Sequence, residues 1–153
     1  MIWCRTVLNT DVLIRVSGDV KCPLALSHAD LAAFADDEQV RDVSRLDPRR
    51  QGDGVTLMSV LSRVRPQPSA THLTLLSSRD GFAASVSLDA VSARGVLIYQ
   101  IEGRPLADDE GGPIRFLISE SAACRTDELD DCANVKFVDR IELTSGKGRD
   151  TRE

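Results

Sequence analysis

The strongest chemical signal in the chain is a set of cations from separate segments that together are able to form an anion site. Arg45, Arg49 and Arg50 fall in one loop, Arg79 flanks the Asp80-Gly81 turn, Arg115 lies inside an apolar run, and Lys136 sits in "NVKF". A guanidinium grips phosphate through two parallel hydrogen bonds, so arginines from separate segments can build a pocket for a phosphorylated ligand. The competing reading is a set of solvated surface charges, and spacing alone does not separate the two. Arg115 is the most telling of the six, because in "GGPIRFLISE" it interrupts an apolar strand. Strand side chains alternate with period two, so Arg115 and Leu117 face one way while Ile114, Phe116 and Ile118 face the other.

Other chemistries have fewer candidates. The sequence holds no GxSxG, no Gly-rich phosphate loop and no HExxH, and its 2 histidines are His28 and His72. His72 opens an apolar strand, where a structural role is expected; His28 stands beside a helix cap, where exposure is expected. The 4 cysteines, Cys4, Cys22, Cys124 and Cys132, form no CxxC pair and have no neighbouring histidine, which argues against a zinc site. Cys124 and Cys132 can approach across "CRTDELDDC" in an oxidising compartment, although free thiols are the expectation. No catalytic residue and no metal ligand is assigned.

The elements that must position these residues follow from pattern. A chain of 153 residues suits one domain, which buries roughly 70% of its unfolded surface. Val12, Ile14 and Val16 alternate in a strand that ends at Gly18-Asp19, and "VKCPLALS" follows as an edge piece containing Pro23. Ser27 with Asp30 three residues later caps a short helix over "SHADLAAFA". "QVRDVSRL" reads as a weak strand before the loop "DPRRQGDG". Val55, Met58, Leu61 and Val64 then recur at helical spacing until "RPQPS". "THLTLLSS", "FAASVSL", "GVLIYQI", "PIRFLIS" and "NVKFVDRIEL" read as strands, with a helix start at "LDAV". Strands outnumber short, scattered helices, so the expected fold is α+β, a compact single domain over residues 1–144 with a flexible tail over 145–153.

Net charge is −5 and the pI is near 5.1, with acids clustered in Asp108-Asp109-Glu110 and "TDELDD". That balance argues against a broad nucleic-acid surface. No stretch approaches about 18 continuous apolar residues, and the opening "MIWCRTVLNTDV" is too polar for a secretory signal. The expected compartment is the cytoplasm, or the periplasm for a trimmed exported form.

The order of segments closely resembles the molybdopterin-binding domain of the sulfite oxidase family over about residues 11–144. "IRVSGDVKCPLALSHADLAAF", "GVTLMSVLSRV", "DGFAASVSLDAV", "GVLIYQIEGRPLADDEGGPIRFLI" and "VKFVDRIELT" carry it. The most specific part, "IEGRPLADDEGGPIRFLI", is similar to the family's N-G-x-P-L turn, spacer and G-x-P-L-R strand; "VKFVDRIEL" is similar to its closing K-W-x-x-x-I-x-L strand, with Phe137 in place of tryptophan.

The resemblance implies a mixed-sheet α+β domain enclosing a molybdenum-pyranopterin (molybdopterin) cofactor, with oxygen-atom or electron transfer at the metal and a redox partner protein. Residues carried over to the cofactor pocket are Arg115, Lys136, Asp80, Gly81 and Phe82, and more loosely Arg45 and Arg50. The family's metal-binding cysteine belongs in "VRDVSRLDPRRQGDGV", which has none, and Ser44 stands nearest its position. A thiol ionises at a pKa of about 8.5 and is a soft donor, whereas a serine hydroxyl ionises far less readily. Glu110 also replaces a histidine common in the family. Three readings stay open: a pterin-cofactor protein, a binding module that keeps the fold without the metal, and a small anion binder.

Overall fold

The computed structural model describes residues 12–119 and 135–152. Two five-stranded sheets carry the fold. The first runs β2 (Leu24–Ser27), β1 (Val12–Gly18), β10 (Arg140–Thr144), β5 (His72–Ser77), β6 (Phe82–Ser87). The second runs β3 (Gln39–Val40), β4 (Asp53–Thr56), β7 (Gly95–Ile101), β8 (Arg104–Pro105), with β9 (Arg115–Ile118) also on β7. Among the described residues the α-helices are short, α1 (His28–Ala32), α2 (Leu57–Val64) and α3 (Leu88–Val91), which makes the arrangement α+β. Among the described strands the parallel pairing joins β1 to β10, so the first and the last lie side by side.

Alternation explains the layers. Ile14 and Val16 of β1, Leu73 and Leu75 of β5, and Ile141 and Leu143 of β10 point into one core, where they meet Leu97 and Tyr99 of the second sheet. The reverse face of the second sheet has its own smaller core of Val43, Val96, Ile98, Leu106 and Leu117. Pro23 precedes β2, which stands at the sheet edge as expected. Ser27 and Asp30 form the expected reciprocal cap of α1 at 3.0 and 3.1 Å.

Three elements differ from the sequence pattern. The helical reading of "GVTLMSVLSRV" merges β4 with α2: residues 53–56 pair with β7, and Thr56 then caps the helix. The buried face is consequently Leu57, Val60, Leu61 and Val64, while Met58 is 50% exposed. In "VKFVDRIEL" the strand β10 begins at Arg140, after a left-handed Phe137 at φ 61° and an isolated bridge from Val138 to Ile114. The tail expected to be flexible hydrogen-bonds along β6, with Thr151 N–H on Ala83 C=O at 2.7 Å and Gly148 N–H on Ser85 Oγ at 2.9 Å.

Candidate functional site

Arg115 opens β9, opposite Ile98 of β7. Leu117 lies in the smaller core while Ile114, Phe116 and Ile118 lie in the larger one, the alternation expected from period two. Arg115 therefore rises beside an apolar floor. Its Nε is buried with no hydrogen-bond partner. Burial pulls its pKa down, the like charge of Arg50 adds to that, and Asp47 opposes both.

Arg50 comes from the loop that covers the same face. Val43 N–H donates to Gly52 C=O at 2.8 Å, closing the loop, and the Val43 side chain plugs the smaller core. Arg50 N–H then donates to Asp47 C=O at 2.9 Å. The Asp47 carboxylate is gripped by Arg49 through Nε at 3.1 Å and Nη2 at 2.9 Å, which holds its pKa below the usual carboxylate range. That acid is thus committed to Arg49. Arg50 Nε is also buried without a partner. Buried donors are nearly always satisfied, so each of these two Nε atoms is a donor in want of an acceptor.

Gly111 closes the site from a third side. It sits at φ +90°, and a Cβ there would lie 3.1 Å from Arg115 Nη1 and 3.2 Å from Lys136 Cβ. Its C=O accepts Phe137 N–H at 2.7 Å, which brings the closing segment alongside. Gly111→Ala is expected to cost about 1–2 kcal/mol through the left-handed backbone and to push Arg115 aside. Thermal unfolding and phosphate titration of the variant check both effects.

Beyond Gly111, the Phe137 ring lies beneath Arg79 at 4.5 Å and Lys136 at 5.2 Å. Arg79 also pairs with Asp108 at 3.2 Å. Lys136 is exposed and within electrostatic reach of Asp80. Asp80 and Gly81 form an exposed turn in which Asp80 Oδ1 accepts Phe82 N–H at 3.0 Å, and Phe82 packs against the main core. Glu110 serves structure: Arg104 grips it at 2.6 and 2.8 Å and it accepts Ala107 N–H, lowering its pKa to about 2.

The candidate residues thus divide. Arg50 acts on Arg115 as a like charge, Lys136 adjoins Arg115 across Gly111, and the Asp80-Gly81 turn lies within electrostatic reach of Lys136. Ser44 and Arg45 lie elsewhere. Ser44 Oγ donates to Asp42 Oδ1, and Arg45 lines a separate cavity of about 380 Å³ with Arg41, Asp42 and Leu46. Sequence reasoning misses Asp47 and Gly111 as site residues, although an acid before two arginines and a glycine doublet before Pro113 are signals for them. His28, expected at the surface, is half-buried, bonded to Gln100 at 3.0 Å and set against the Tyr99 ring. Cys22 is disulfide-bonded; the Cys124–Cys132 pairing lies outside the described residues.

The arrangement fits the anionic end of a phosphate-bearing cofactor, since two unpartnered Nε donors need acceptors. Among the described residues no thiol is available to a metal, since Cys22 is disulfide-bonded. The Ser44 hydroxyl is committed to Asp42, and among the described residues no three His, Cys, Asp or Glu side chains group to hold an ion.

A family model described as the oxidoreductase molybdopterin binding domain matches residues 5–151. Among solved structures, the sulfane dehydrogenase SoxCD from Paracoccus pantotrophus is similar at a TM-score of 0.64 and 16% identity, a likeness of fold. The alignment covers 94% of this chain and 41% of that chain, so this chain spans less than half of its structural neighbour. No curated protein is detectably similar in sequence.

Proposed function

This chain belongs to the oxidoreductase molybdopterin-binding domain family, and from that premise we propose that it holds a molybdopterin by its phosphate between Arg50 and Arg115. The observation that carries this reading is the buried, unpartnered Nε on each of two arginines whose like charges oppose each other. A phosphate dianion would accept from both, neutralise their mutual repulsion and recover the cost of their burial. Lys136 stands next to Arg115 across Gly111 and adds positive charge there, with the Asp80-Gly81 turn and Phe82 within its electrostatic reach. Ser44 and Arg45 belong to the loop that carries Arg50 and take no part in the phosphate contact.

When bound, a molybdenum-pyranopterin supplies oxygen-atom or electron transfer at its metal. The chain's own residues orient and neutralise the group. Ser44 bonded to Asp42 favours a second reading, in which pterin is held without a protein-bound metal. A redox partner protein belongs to the first reading. The disulfide at Cys22 supports an oxidising compartment over the cytoplasm, and among the described residues no helix is long and apolar enough to cross a membrane.

The test is expression in a host that makes the cofactor, followed by pterin fluorescence after oxidation and molybdenum by elemental analysis. Stoichiometric pterin is expected. Pterin without molybdenum selects the second reading, and absence of pterin overturns both.

A further inference from the structure

We propose that Asp53 is the positioning residue that holds the Arg50 loop closed, and that the amide of Gln100 couples it to the tautomer of His28. The inference rests on the anion-binding reading of Arg50 and Arg115. Asp42 and Asp53 stand at the two ends of the loop that carries Asp47, Arg49 and Arg50. Asp42 N–H donates to Asp53 Oδ1 at 2.9 Å, beside the Val43 to Gly52 backbone bond. Asp42 itself takes a left-handed φ of 62° and turns its own carboxylate onto Ser44 N–H at 3.2 Å. A non-glycine residue in that conformation is held there by its surroundings. The Asp53 carboxylate is the part of those surroundings contributed from the sheet.

The second oxygen of Asp53 fixes a longer chain. Gln100 Nε2 donates to Asp53 Oδ2 at 2.9 Å, and Gln100 Oε1 meets His28 Nε2 at 3.0 Å. A carboxylate only accepts, so the Gln100 NH₂ must face Asp53 and its oxygen must face His28. His28 must therefore donate, with the proton on Nε2. The register of β7 supplies this geometry: Asp53 pairs with Gln100 and Gly54 with Ile98, leaving Tyr99 as a bulged residue. Such bulges re-aim neighbouring side chains. Ile98, on the other side of the bulge, pairs with Arg115. Thus β7 registers both arginines, one through strand pairing and the other through Gln100 and Asp53.

Two variants test it. In Asp53→Asn, Oδ1 still accepts from Asp42 and the new NH₂ faces Gln100, so the Gln100 amide must turn over and present NH₂ to His28. His28 must then accept at Nε2 and carry its proton on Nδ1. Nitrogen-15 NMR of neutral His28 is expected to show Nε2–H in the wild type and Nδ1–H in Asp53→Asn. Asp53→Ala removes the acceptor for Asp42 and is expected to weaken inorganic phosphate binding by about tenfold in calorimetry. Asp53→Asn should restore most of that affinity. An Nδ1–H wild type, or an unchanged tautomer in Asp53→Asn, overturns the coupling. Wild-type affinity in Asp53→Ala overturns the positioning role, and if that variant fails to fold the tautomer exchange still decides. A wild type that binds no phosphate sinks the arginine-pair reading instead, which the His28 spectrum does not touch.

Discussion

Arg115→Ala is expected to weaken inorganic phosphate binding by about 10- to 100-fold while the chain stays folded. The magnitude is that of charge-assisted hydrogen bonds, about 1.5–3 kcal/mol, converted at about 1.4 kcal/mol per tenfold. The direction follows from Arg115 Nε, which is buried with nothing to bond and therefore gains a partner only when an acceptor arrives. Calorimetric titration of wild type and variant reads the change. Equal affinities would show that the anion binds elsewhere.

Stability should move the other way. Arg115 is half-buried, pairs with Ile98 across β7 and is opposed by the like charge of Arg50. Replacing a poorly compensated buried charge with an apolar side chain of similar length is often neutral or stabilising. Arg115→Met is accordingly expected to lose phosphate binding and to melt no lower than the wild type. A binding site that weakens the fold which builds it is a sign of function, and the same comparison at Arg63 should fail. There the guanidinium is satisfied by Glu38 at 2.9 Å and stacked on Phe34 at 3.6 Å, so its removal can only cost stability.

This much of the site is readable in the sequence because a strand has only two faces. Once "PIRFLIS" is taken as a strand, Arg115 must share a face with Leu117, and the split of Leu117 from Ile114, Phe116 and Ile118 between the two cores follows that alternation. The segment order makes the sheet architecture readable in the same way. Period reasoning fails at residues 53–64, because a four-residue strand running straight into a helix leaves too few positions to show its alternation before the helical spacing begins. Met58 falls on the expected buried face for that reason, and in the fold it points out. Ser44 and Arg45 rest on analogy of position; in the 3₁₀ turn over Val43–Arg45 the Ser44 hydroxyl bonds Asp42 and Arg45 lines a different cavity. His28 looks exposed in sequence because its partners are remote, Gln100 lying 72 residues away along the chain, a separation no local pattern reports.

The tail reads as flexible because its composition is polar, yet its polar groups are satisfied by the outer edge of β6. Ser85 N–H donates to Asp150 Oδ2 at 3.1 Å and Ala83 N–H to Thr151 Oγ1 at 2.9 Å. Gly148 passes so close to Thr74 that a Cβ would not fit. Asp150 and Arg152 pair at 2.6 Å with side chains only 8% and 12% exposed. Burial pushes the Asp150 pKa up, but the Arg152 guanidinium and the N–H groups of Arg152 and Ser85 outweigh it and bring it to about 2 from 3.8. A carboxylate whose folded pKa is depressed contributes its stability above the unfolded value, and that contribution is lost as pH falls through the folded one. A depression of this size corresponds to about 2 kcal/mol, present at neutral pH and fading between about pH 4 and 2. Asp150→Ala is expected to remove this contribution at every pH and to leave the Arg152 guanidinium without its carboxylate. Because the tail can lift into water, the loss appears as local opening rather than global melting. Hydrogen exchange at the Ala83 and Ser85 amides should therefore accelerate by about 30-fold, the equivalent of about 2 kcal/mol, while amides in the centre of β10 stay protected. Unchanged exchange at Ala83 and Ser85 would show that the pair does not hold the tail, and equal acceleration in β10 would show that the tail is inseparable from the core.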